Sequence, residues 1–274
     1  MGWLNTAASD TQITHGNRLW LYIVAAIIML LLVIPTFIVI PMSFSNSQYL
    51  EFPPEVWSTR WYEEYFGSKK WMRATVVSLK IGVLTMLVAT PLGTMAAYAL
   101  FVSRHRAARA VFVLLITPMI VPVILIAIGT FYAYGRMGLN NTISGLVLAH
   151  TALATPLVMI VITAALRSYD LNQERVARSL GATRLQAFFI ITLPQIKFSV
   201  ITSALLSFLT SFDEVIVAIF VSGGTTATLT KHMFSALRDF IDPTIAAIST
   251  IMVLVSTLLL LITQRIGTRD KSSG

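Results

Sequence analysis

Two acidic residues stand side by side within a long apolar stretch, at Asp213 and Glu214. A carboxylate at such a depth in a membrane is costly unless it is paired or faces a water-filled cavity. Lys80 lies within another apolar stretch, and the rings of Phe208 and Phe212 precede the two acids. Because aromatic faces attract cations, this set of residues indicates either an ion pair inside a membrane or a site for a cationic solute.

The pattern leaves these alternatives open. A straight helix, rising about 1.5 Å per residue, would place Asp213 and Lys80 at similar depths near one face of the membrane. Lys80 then either pairs with one of the acids or extends its amine towards the interface. In the second interpretation, the remaining acid faces a pathway and attracts a cation. Phe212 and Glu214 point about 100° to either side of Asp213 on a helix, so they cannot all line one cavity.

A second polar segment, residues 170–194, separates two apolar stretches. Asp170 is a candidate N-cap, and Glu174 falls in the first turn, where a helix favours an anion. The apolar residues Val176, Ala177 and Leu180 share one face. Gly181 and Ala182 follow, and glycine is suited to the left-handed conformation that ends a helix.

A further short helix is predicted after this corner. Thr183 and Gln186 have the spacing of a capping box. Leu185, Phe188 and Phe189 then follow at positions i, i+3 and i+4, with Thr192 a candidate cap ahead of Pro194. Helices of this kind either lie passively at the membrane interface or dock a partner protein.

The elements that carry these residues are apolar helices. The chain has 274 residues, of which 56% are hydrophobic and 12% charged, and its mean hydropathy is +0.78. Soluble domains contain about 25% charged residues, so this composition is typical of a membrane protein. Cysteine is absent and the four histidines are scattered, so no metal site is expected.

Six stretches are long enough to cross a bilayer, which requires about 20 helical residues. We therefore predict an all-α membrane protein, with a six-span domain over residues 20–266 between an N-terminal segment 1–19 and a C-terminal tail 267–274. The predicted spans run roughly over Trp20–Met42, Ala74–Val102, Ala110–Tyr134, Asn140–Leu166, Phe198–Val221 and Pro243–Ile262.

The net charge of +8 is explained by the loops rather than by nucleic-acid binding. With six spans, both termini and the segment 170–194 fall on one side of the membrane. More lysine and arginine residues occur on that side than on the other. Since positively charged loops remain in the cytoplasm, we predict a multi-pass protein with cytoplasmic termini.

The segment 170–194 resembles the EAA loop of permease subunits from binding-protein-dependent ABC importers. In that pattern Glu-Ala-Ala is followed by three residues, Gly, nine residues, and Ile-x-Leu-Pro. Gly181 and the residues from Ile191 to Pro194 match the second half fully. The first half departs from the pattern, because Arg175, Val176 and Ala177 occupy the Glu-Ala-Ala positions and the glutamate lies one residue earlier, at Glu174.

The resemblance extends over nearly the whole chain and is greatest for the polyamine (spermidine/putrescine) type. WYEEYF at 61–66 and SFDEVIVAIFVSGG at 211–224 carry this finer likeness. It implies a type I ABC importer permease fold, with a cytoplasmic coupling-helix loop between spans four and five in a bacterial inner membrane. The residues implied in contact with the ATPase are Glu174, Arg175, Ala177, Gly181, Ala182, Phe188, Phe189 and Pro194.

The resemblance also implies partners. The sequence contains no Gly-x4-Gly-Lys-Ser/Thr phosphate loop, so the chain is predicted to be a non-catalytic permease subunit without a cofactor. ATP and magnesium would be bound by two partner ATPase subunits. A second permease subunit and an external substrate-binding protein would complete the importer, alongside membrane lipid and a small-molecule substrate.

Other functions are compatible with parts of the pattern. A stand-alone channel or secondary transporter could have six spans and buried charges, but no internal two-half repeat is evident. A membrane enzyme would need converging catalytic groups, and apart from Asp213 and Glu214 no such cluster is found. Within the importer class, an opine, γ-aminobutyrate or another small organic solute is the alternative to a polyamine.

Overall fold

The computed structural model describes residue 6, residues 14–103 and residues 105–269, with side chains at all of these except 260 and 262–269. Most of the predicted N-terminal segment and tail, and Arg104, therefore lie outside the described residues. Helices dominate the described part, which contains no β-strand, and the all-α prediction is confirmed there. The helices are α1 (Leu19–Met42), α2 (Arg60–Gly67), α3 (Lys69–Val102), α4 (Ala108–Ile116), α5 (Val123–Met137), α6 (Ile143–Arg167), α7 (Leu171–Ser179), α8 (Arg184–Ala187), α9 (Leu193–Gln195), α10 (Lys197–Phe212), α11 (Ile216–Val221), α12 (Leu229–Asp239) and α13 (Thr244–Arg269).

Among the described residues, three helices are long and apolar enough to cross a membrane: Gly16–Met42, Lys69–Val102 and Ile143–Arg167. Two bent pairs raise this number to five if each pair forms one span. One pair joins Ala108–Met119 to Val123–Met137, and the other joins Arg184–Gln195 to Lys197–Phe212. Thr244–Leu259 is a shorter apolar helix.

The predicted third span, Ala110–Tyr134, is not one straight helix. Its two halves differ in direction by 94°, and the break contains Pro118 and Pro122. A proline lacks a backbone donor and restricts the residue before it. The α-helix consequently stops at Ile116, and α5 begins only after Pro122, whose ψ of 125° is extended.

The chain divides into two compact units. One comprises Met1–Tyr65 and Ile241–Val253. Its helix α1 exposes apolar side chains all round, as a helix bordered by lipid would. In the connection after α1, the side chain of Ser45 donates a hydrogen bond to Glu51 and the Trp61 indole donates to the Ser47 carbonyl.

The other unit, Phe66–Phe240 and Leu254–Gly274, is built around α3, α6 and α10, which pack against one another. Glycine permits the close approach of α3 and α6, because a Cβ atom at Gly93 would lie 2.7 Å from Cβ of Val158. One apolar cluster of this unit is formed by Ala97, Tyr98, Val158, Met159, Ile162, Leu166, Phe188 and Ile196. A second contains Ile81, Ala127, Leu146, Ala149, Val217 and Val221.

Candidate functional site

The segment between α6 and α10 forms two short helices at a glycine corner, as the sequence predicts. Asp170 caps α7 by accepting a hydrogen bond from Asn172 N at 2.9 Å. The helix ends at Ser179, and Gly181 adopts a φ of +95°. Its amide donates to the Arg178 carbonyl, so the corner depends on a residue that tolerates the left-handed region.

The second helix begins at the predicted capping box. Gln186 N donates to Thr183 Oγ1, and Gln186 Oε1 accepts from Thr183 N at 2.8 Å. The following residues Phe188–Thr192 form a wider π-type turn rather than continuing the α-helix. Pro194 lies exposed in the short helix α9.

Glu174 faces the interior of its own chain. Its side chain is 3% exposed, and Oε1 accepts a hydrogen bond from the Tyr98 hydroxyl at 2.6 Å. Thr192 Oγ1 lies 3.2 Å from Oε2 and 3.1 Å from the Tyr169 hydroxyl. Thr192 is therefore a partner of Glu174 and not the helix cap that the sequence suggests. Burial raises the pKa of Tyr169, in the loop before α7, so this phenol remains neutral.

Phe188 is also directed inwards, contrary to the prediction that it offers its ring to a partner. It is 5% exposed and packs against Tyr98, with the ring centroids 4.5 Å apart. The heptad-like spacing of Leu185, Phe188 and Phe189 did not reveal this, because the π turn changes the direction of successive side chains. Phe189 remains 59% exposed.

The outer face of the two helices is apolar. Val176, Leu180, Leu185, Phe189 and Ile190 are between 59% and 83% exposed. We call these five residues the coupling surface. Clustered exposed apolar side chains are typical of a site for a protein partner or a membrane.

Arg175, which occupies the glutamate position of the EAA pattern, lies on the exposed side. Its Nη1 donates to Asn172 Oδ1 at 3.1 Å. An open cleft of about 600 Å³ lies beside it, and Arg178 and Arg184 contribute to its lining together with Phe101 and Leu171. The outward side of the segment thus combines apolar side chains with three arginines, whereas Glu174, which also borders this cleft, is only 3% exposed.

The contacts of Glu174 predict that this acid fixes α7 to α3. Tyr98→Phe leaves a buried carboxylate without its shortest hydrogen bond, and a bond to a charged group contributes about 1.5–3 kcal/mol. We expect the free energy of unfolding of the detergent-solubilised chain to fall by about that amount. A double-mutant cycle with Glu174→Met, which cannot accept this hydrogen bond, should show coupling between the two positions.

Tyr132→Phe is the matched control. It also removes a tyrosine hydroxyl, but from a side chain that is 70% exposed. Additive effects of the Tyr98 and Glu174 substitutions, or an equal loss in the control, would contradict the assignment.

The two acids at 213 and 214 lie at a break between helices, not within a continuous span. Helix α10 ends at Phe212, and α11 begins at Ile216. The predicted fifth span, Phe198–Val221, is therefore interrupted. Broken helices inside membranes are tolerated where they line a cavity or are buried in protein, and in transporters they frequently form the substrate site.

Glu214 is used to stabilise the break. Its Oε1 accepts a hydrogen bond from Val217 N at 2.8 Å, and its backbone carbonyl accepts from the Thr230 hydroxyl at 3.0 Å. These bonds satisfy backbone groups that the interrupted helix leaves open. Because α10 ends at Phe212, the two acids do not lie on a continuous helix, and the helical geometry assumed for them in the sequence analysis is wrong.

Asp213 has a different environment. Its backbone amide closes the last turn of α10 on the Leu209 carbonyl, while its side chain is exposed. In the described part of the chain, the carboxylate of Asp213 accepts no hydrogen bond and forms no ion pair. A free carboxylate at a helix C-terminus, where the dipole is negative, is a favourable site for a cation.

Lys80 does not pair with either acid in the structure. Its side chain is exposed on α3, and the ion pair found within the described residues joins Arg238 to Asp239. The pairing alternative of the sequence analysis is thus not realised. The long lysine side chain can reach water at lower cost than a buried pair would require.

Phe208 and Phe212 are stacked one turn apart, with centroids 5.5 Å apart and an interplanar angle of 15°. Gly82 of α3, which the sequence analysis missed, makes room for Phe208, because a Cβ atom there would lie 2.8 Å from the ring. No local signal marks Gly82, since its importance comes from a residue 126 positions away in another helix.

A buried polar chain fixes the end of α10 to its neighbours. His150 Nδ1 of α6 lies 2.8 Å from Ser211 Oγ, and Ser211 donates to Thr85 Oγ1 of α3 at 3.2 Å. Ser211 immediately precedes the aromatic and acidic residues of the break, so this chain positions them.

The loop after α11 is held from two sides. The Lys231 amine donates to the Ile219 carbonyl at 3.1 Å and to the Ser222 carbonyl. Asn141 N donates to the Val221 carbonyl at 2.8 Å. Gly223 packs directly on Asn141, where a Cβ atom would lie 2.5 Å from the side-chain oxygen. Close packing thereby explains Gly223, whereas Gly224 has open space around its Cβ position and adopts a φ of +57°, which favours glycine.

Comparisons with known proteins agree with this architecture. A model of the family described as "Binding-protein-dependent transport system inner membrane component" matches residues 89–270. The chain is 34% identical to the putrescine transport system permease protein PotI of Escherichia coli (strain K12) over 72% of each chain. It is 30% identical to the spermidine/putrescine transport system permease protein PotC of Haemophilus influenzae, covering 87% of this chain and 93% of the relative.

A solved structure has the same fold. A chain of the bacterial alginate ABC transporter in complex with alginate pentasaccharide-bound periplasmic protein superposes with a TM-score of 0.71 at 18% identity. The match covers 93% of this chain and 96% of the other. At this identity the likeness concerns the fold alone, and it confirms the predicted type of fold.

Proposed function

We propose, because the chain belongs to the family of binding-protein-dependent transport system inner membrane components, that it forms half of a translocation pathway for a polyamine. The observation that carries the substrate class is the exposed carboxylate of Asp213 at the end of α10. The stacked rings of Phe208 and Phe212 lie on the preceding turn. A polyamine is a linear molecule of methylene and ammonium groups. Its cations can bind the acid, and its methylene segments can pack on the rings.

The similarity to permeases named for putrescine and spermidine supports this substrate class. It does so independently of the geometry at Asp213. Glu214 contributes to the site by supporting the break, whereas Lys80 is exposed on α3, forms no ion pair with either acid and takes no direct part in binding. A second permease subunit supplies the opposite wall of the pathway.

The coupling surface is the proposed contact with a partner ATPase. Two such subunits bind ATP and magnesium, and their closure moves α7 and α8. The buried Glu174–Tyr98 bond transmits this movement to α3, because a rigid hydrogen-bonded connection moves with both elements. An external binding protein delivers the solute at the opposite membrane face.

In the same proposal, both termini lie in the cytoplasm. Six spans result if the bent pair Ala108–Met119 and Val123–Met137 crosses once, α10 and α11 together form one crossing and α13 supplies the last. The domain boundaries at residues 20 and 266, with the coupling loop at 170–194, form part of the same proposal.

Uptake by the reconstituted importer tests the substrate. The chain is co-expressed with its ATPase, second permease and binding protein, and the complex is placed in vesicles with ATP on the ATPase side or on the opposite side. We expect ATP-dependent uptake of labelled putrescine or spermidine. ATP-dependent uptake of γ-aminobutyrate, with no competition by either polyamine, would contradict the proposal.

A further inference from the structure

A small apolar groove lies between α3, α4 and α6, with a volume of about 260 Å³. Its walls are apolar side chains of α3 and α4, and its rim carries one arginine from α4 and one from α6. The lining residues used below are Leu100, Phe101, Phe112, Thr163, Arg109 and Arg167. Neither the coupling surface nor Asp213 forms part of this groove.

The two arginines are available to an anion. Arg109 and Arg167 are both exposed, and no acidic side chain lines the groove with them. In the described part of the chain, neither guanidinium forms an ion pair. Two unpaired arginines near one another favour a group that accepts several hydrogen bonds and carries negative charge, such as a phosphate.

Thr163 provides a second indication of a polar ligand. Its hydroxyl has no hydrogen-bond partner in the described part of the chain. By contrast, the Thr155 hydroxyl of the same helix donates to the carbonyl four residues earlier, at 2.7 Å. Thr163 therefore retains a donor within an otherwise apolar wall.

The volume limits what can enter. One turn of an α-helix, about 10 Å wide and 5.4 Å long, occupies roughly 400 Å³ as a cylinder. The groove is smaller than this, so a helix could place only one face in it, whereas a single acyl chain can lie within it. An acyl chain against Phe101 and Phe112 would be apolar, as the wall requires.

We propose that this groove binds an anionic phospholipid, with the phosphate between Arg109 and Arg167 and part of an acyl chain against the two phenylalanines. Basic pockets between the ends of membrane helices recognise lipid phosphates by this combination of charge and apolar wall. The proposal goes beyond the transport function and holds for any substrate of the importer.

Native mass spectrometry of the purified full-length chain tests the proposal. The delipidated protein is titrated with dioleoyl phosphatidylglycerol and, separately, with dioleoyl phosphatidylcholine. We expect tighter binding of the anionic lipid. The double variant Arg109→Gln/Arg167→Gln should weaken phosphatidylglycerol binding about 25-fold, from about fivefold for each arginine.

Three further variants distinguish the roles of charge, position and the Thr163 hydroxyl from misfolding. Arg109→Lys/Arg167→Lys keeps both charges and should retain most of the binding. Arg106→Gln removes a charge from the adjacent loop outside the groove and should leave binding unchanged. Thr163→Val preserves the side-chain volume but removes the hydroxyl, and it should weaken binding several-fold. All variants must elute in gel filtration as the native chain does.

Four results would overturn the proposal. Equal binding of both lipids would show that the groove is a non-specific apolar surface. An equal loss of binding in Arg106→Gln would show that Arg109 and Arg167 act only through the overall positive charge. Displacement of the lipid by millimolar inorganic phosphate would indicate a soluble phosphate ligand. In the assembled importer, loss of the lipid together with cross-linking from position 112 to another subunit would identify a protein interface.

Discussion

Asp213→Asn is expected to lower ATP-dependent polyamine uptake by about 10- to 100-fold. A hydrogen bond to a charged group contributes about 1.5–3 kcal/mol, and each 1.4 kcal/mol corresponds to a factor of ten. Asparagine keeps the size of the side chain and the end of α10, but it removes the negative charge that faces the exposed side of the break. The measurement is the initial uptake of labelled putrescine by reconstituted vesicles.

Glu214→Gln is the matched control for this prediction. The glutamine amide oxygen can still accept the hydrogen bond from Val217 N, so α11 retains its first turn and uptake falls less. Lys80→Gln should have little effect, since Lys80 is exposed and forms no pair with the acids. Normal uptake by Asp213→Asn would remove this residue from the substrate site, whereas loss of subunit assembly would make its role structural.

Leu180→Asp is expected to abolish transport-coupled ATP hydrolysis while the chain remains inserted in the membrane. Leu180 is 83% exposed and belongs to the coupling surface, so the change costs little in the isolated chain. On docking, burial of a leucine contributes about 1.5–3 kcal/mol, and a buried unpaired carboxylate adds a further penalty. Substrate-stimulated ATPase activity and co-purification of the ATPase give the measurement.

Asn172→Asp introduces the same charge on α7 without replacing an apolar contact, and it preserves the acceptor for Arg175. It should therefore leave the stimulation largely intact. If Leu180→Asp transports normally, the coupling surface does not dock the ATPase. If both variants fail equally, negative charge anywhere on α7 is sufficient to explain the loss.

Two other substitutions in this segment have different expected effects. Gly181→Pro should also abolish coupling, because φ of +95° is inaccessible to proline and the hydrogen bond that the Gly181 amide donates to the Arg178 carbonyl is lost. Phe188→Asp, which the sequence alone would suggest as an equivalent test, instead places a carboxylate against Tyr98 in the core. It is expected to destabilise the chain itself, so it does not isolate the coupling step.

Residues 174 and 175 are the point at which the chain departs from the EAA pattern, and their side chains face opposite ways. Glu174 is bonded to Tyr98 inside the chain, whereas Arg175 is on the exposed side beside Arg178. A partner that docks here would meet arginine where related loops carry glutamate. We therefore expect the complementary surface of this ATPase to be more acidic.

Features that depend on neighbouring residues could be predicted from the sequence. The Asp170 cap, the Gly181 corner and the Thr183–Gln186 capping box are all found at the predicted positions. Each involves residues within a few positions, so local hydrogen bonding and backbone conformation decide them. The apolar composition likewise predicted a helical membrane protein, and the resemblance of the Gly181–Pro194 segment to the EAA loop implied a permease subunit.

Tertiary structure alone decided which side chains face a partner or solute and which are used within the chain. Glu174 and Phe188 turn inwards because Tyr98, far away in sequence, offers a hydroxyl and a ring to them. The Asp213 carboxylate has no hydrogen-bond partner among the described residues, whereas Glu214 accepts hydrogen bonds from Val217 N at its side chain and from Thr230 at its backbone carbonyl. The sequence determined the types of residue at each site, but pairing depends on how α3, α6 and α10 pack, and their close contacts join residues that no local pattern connects.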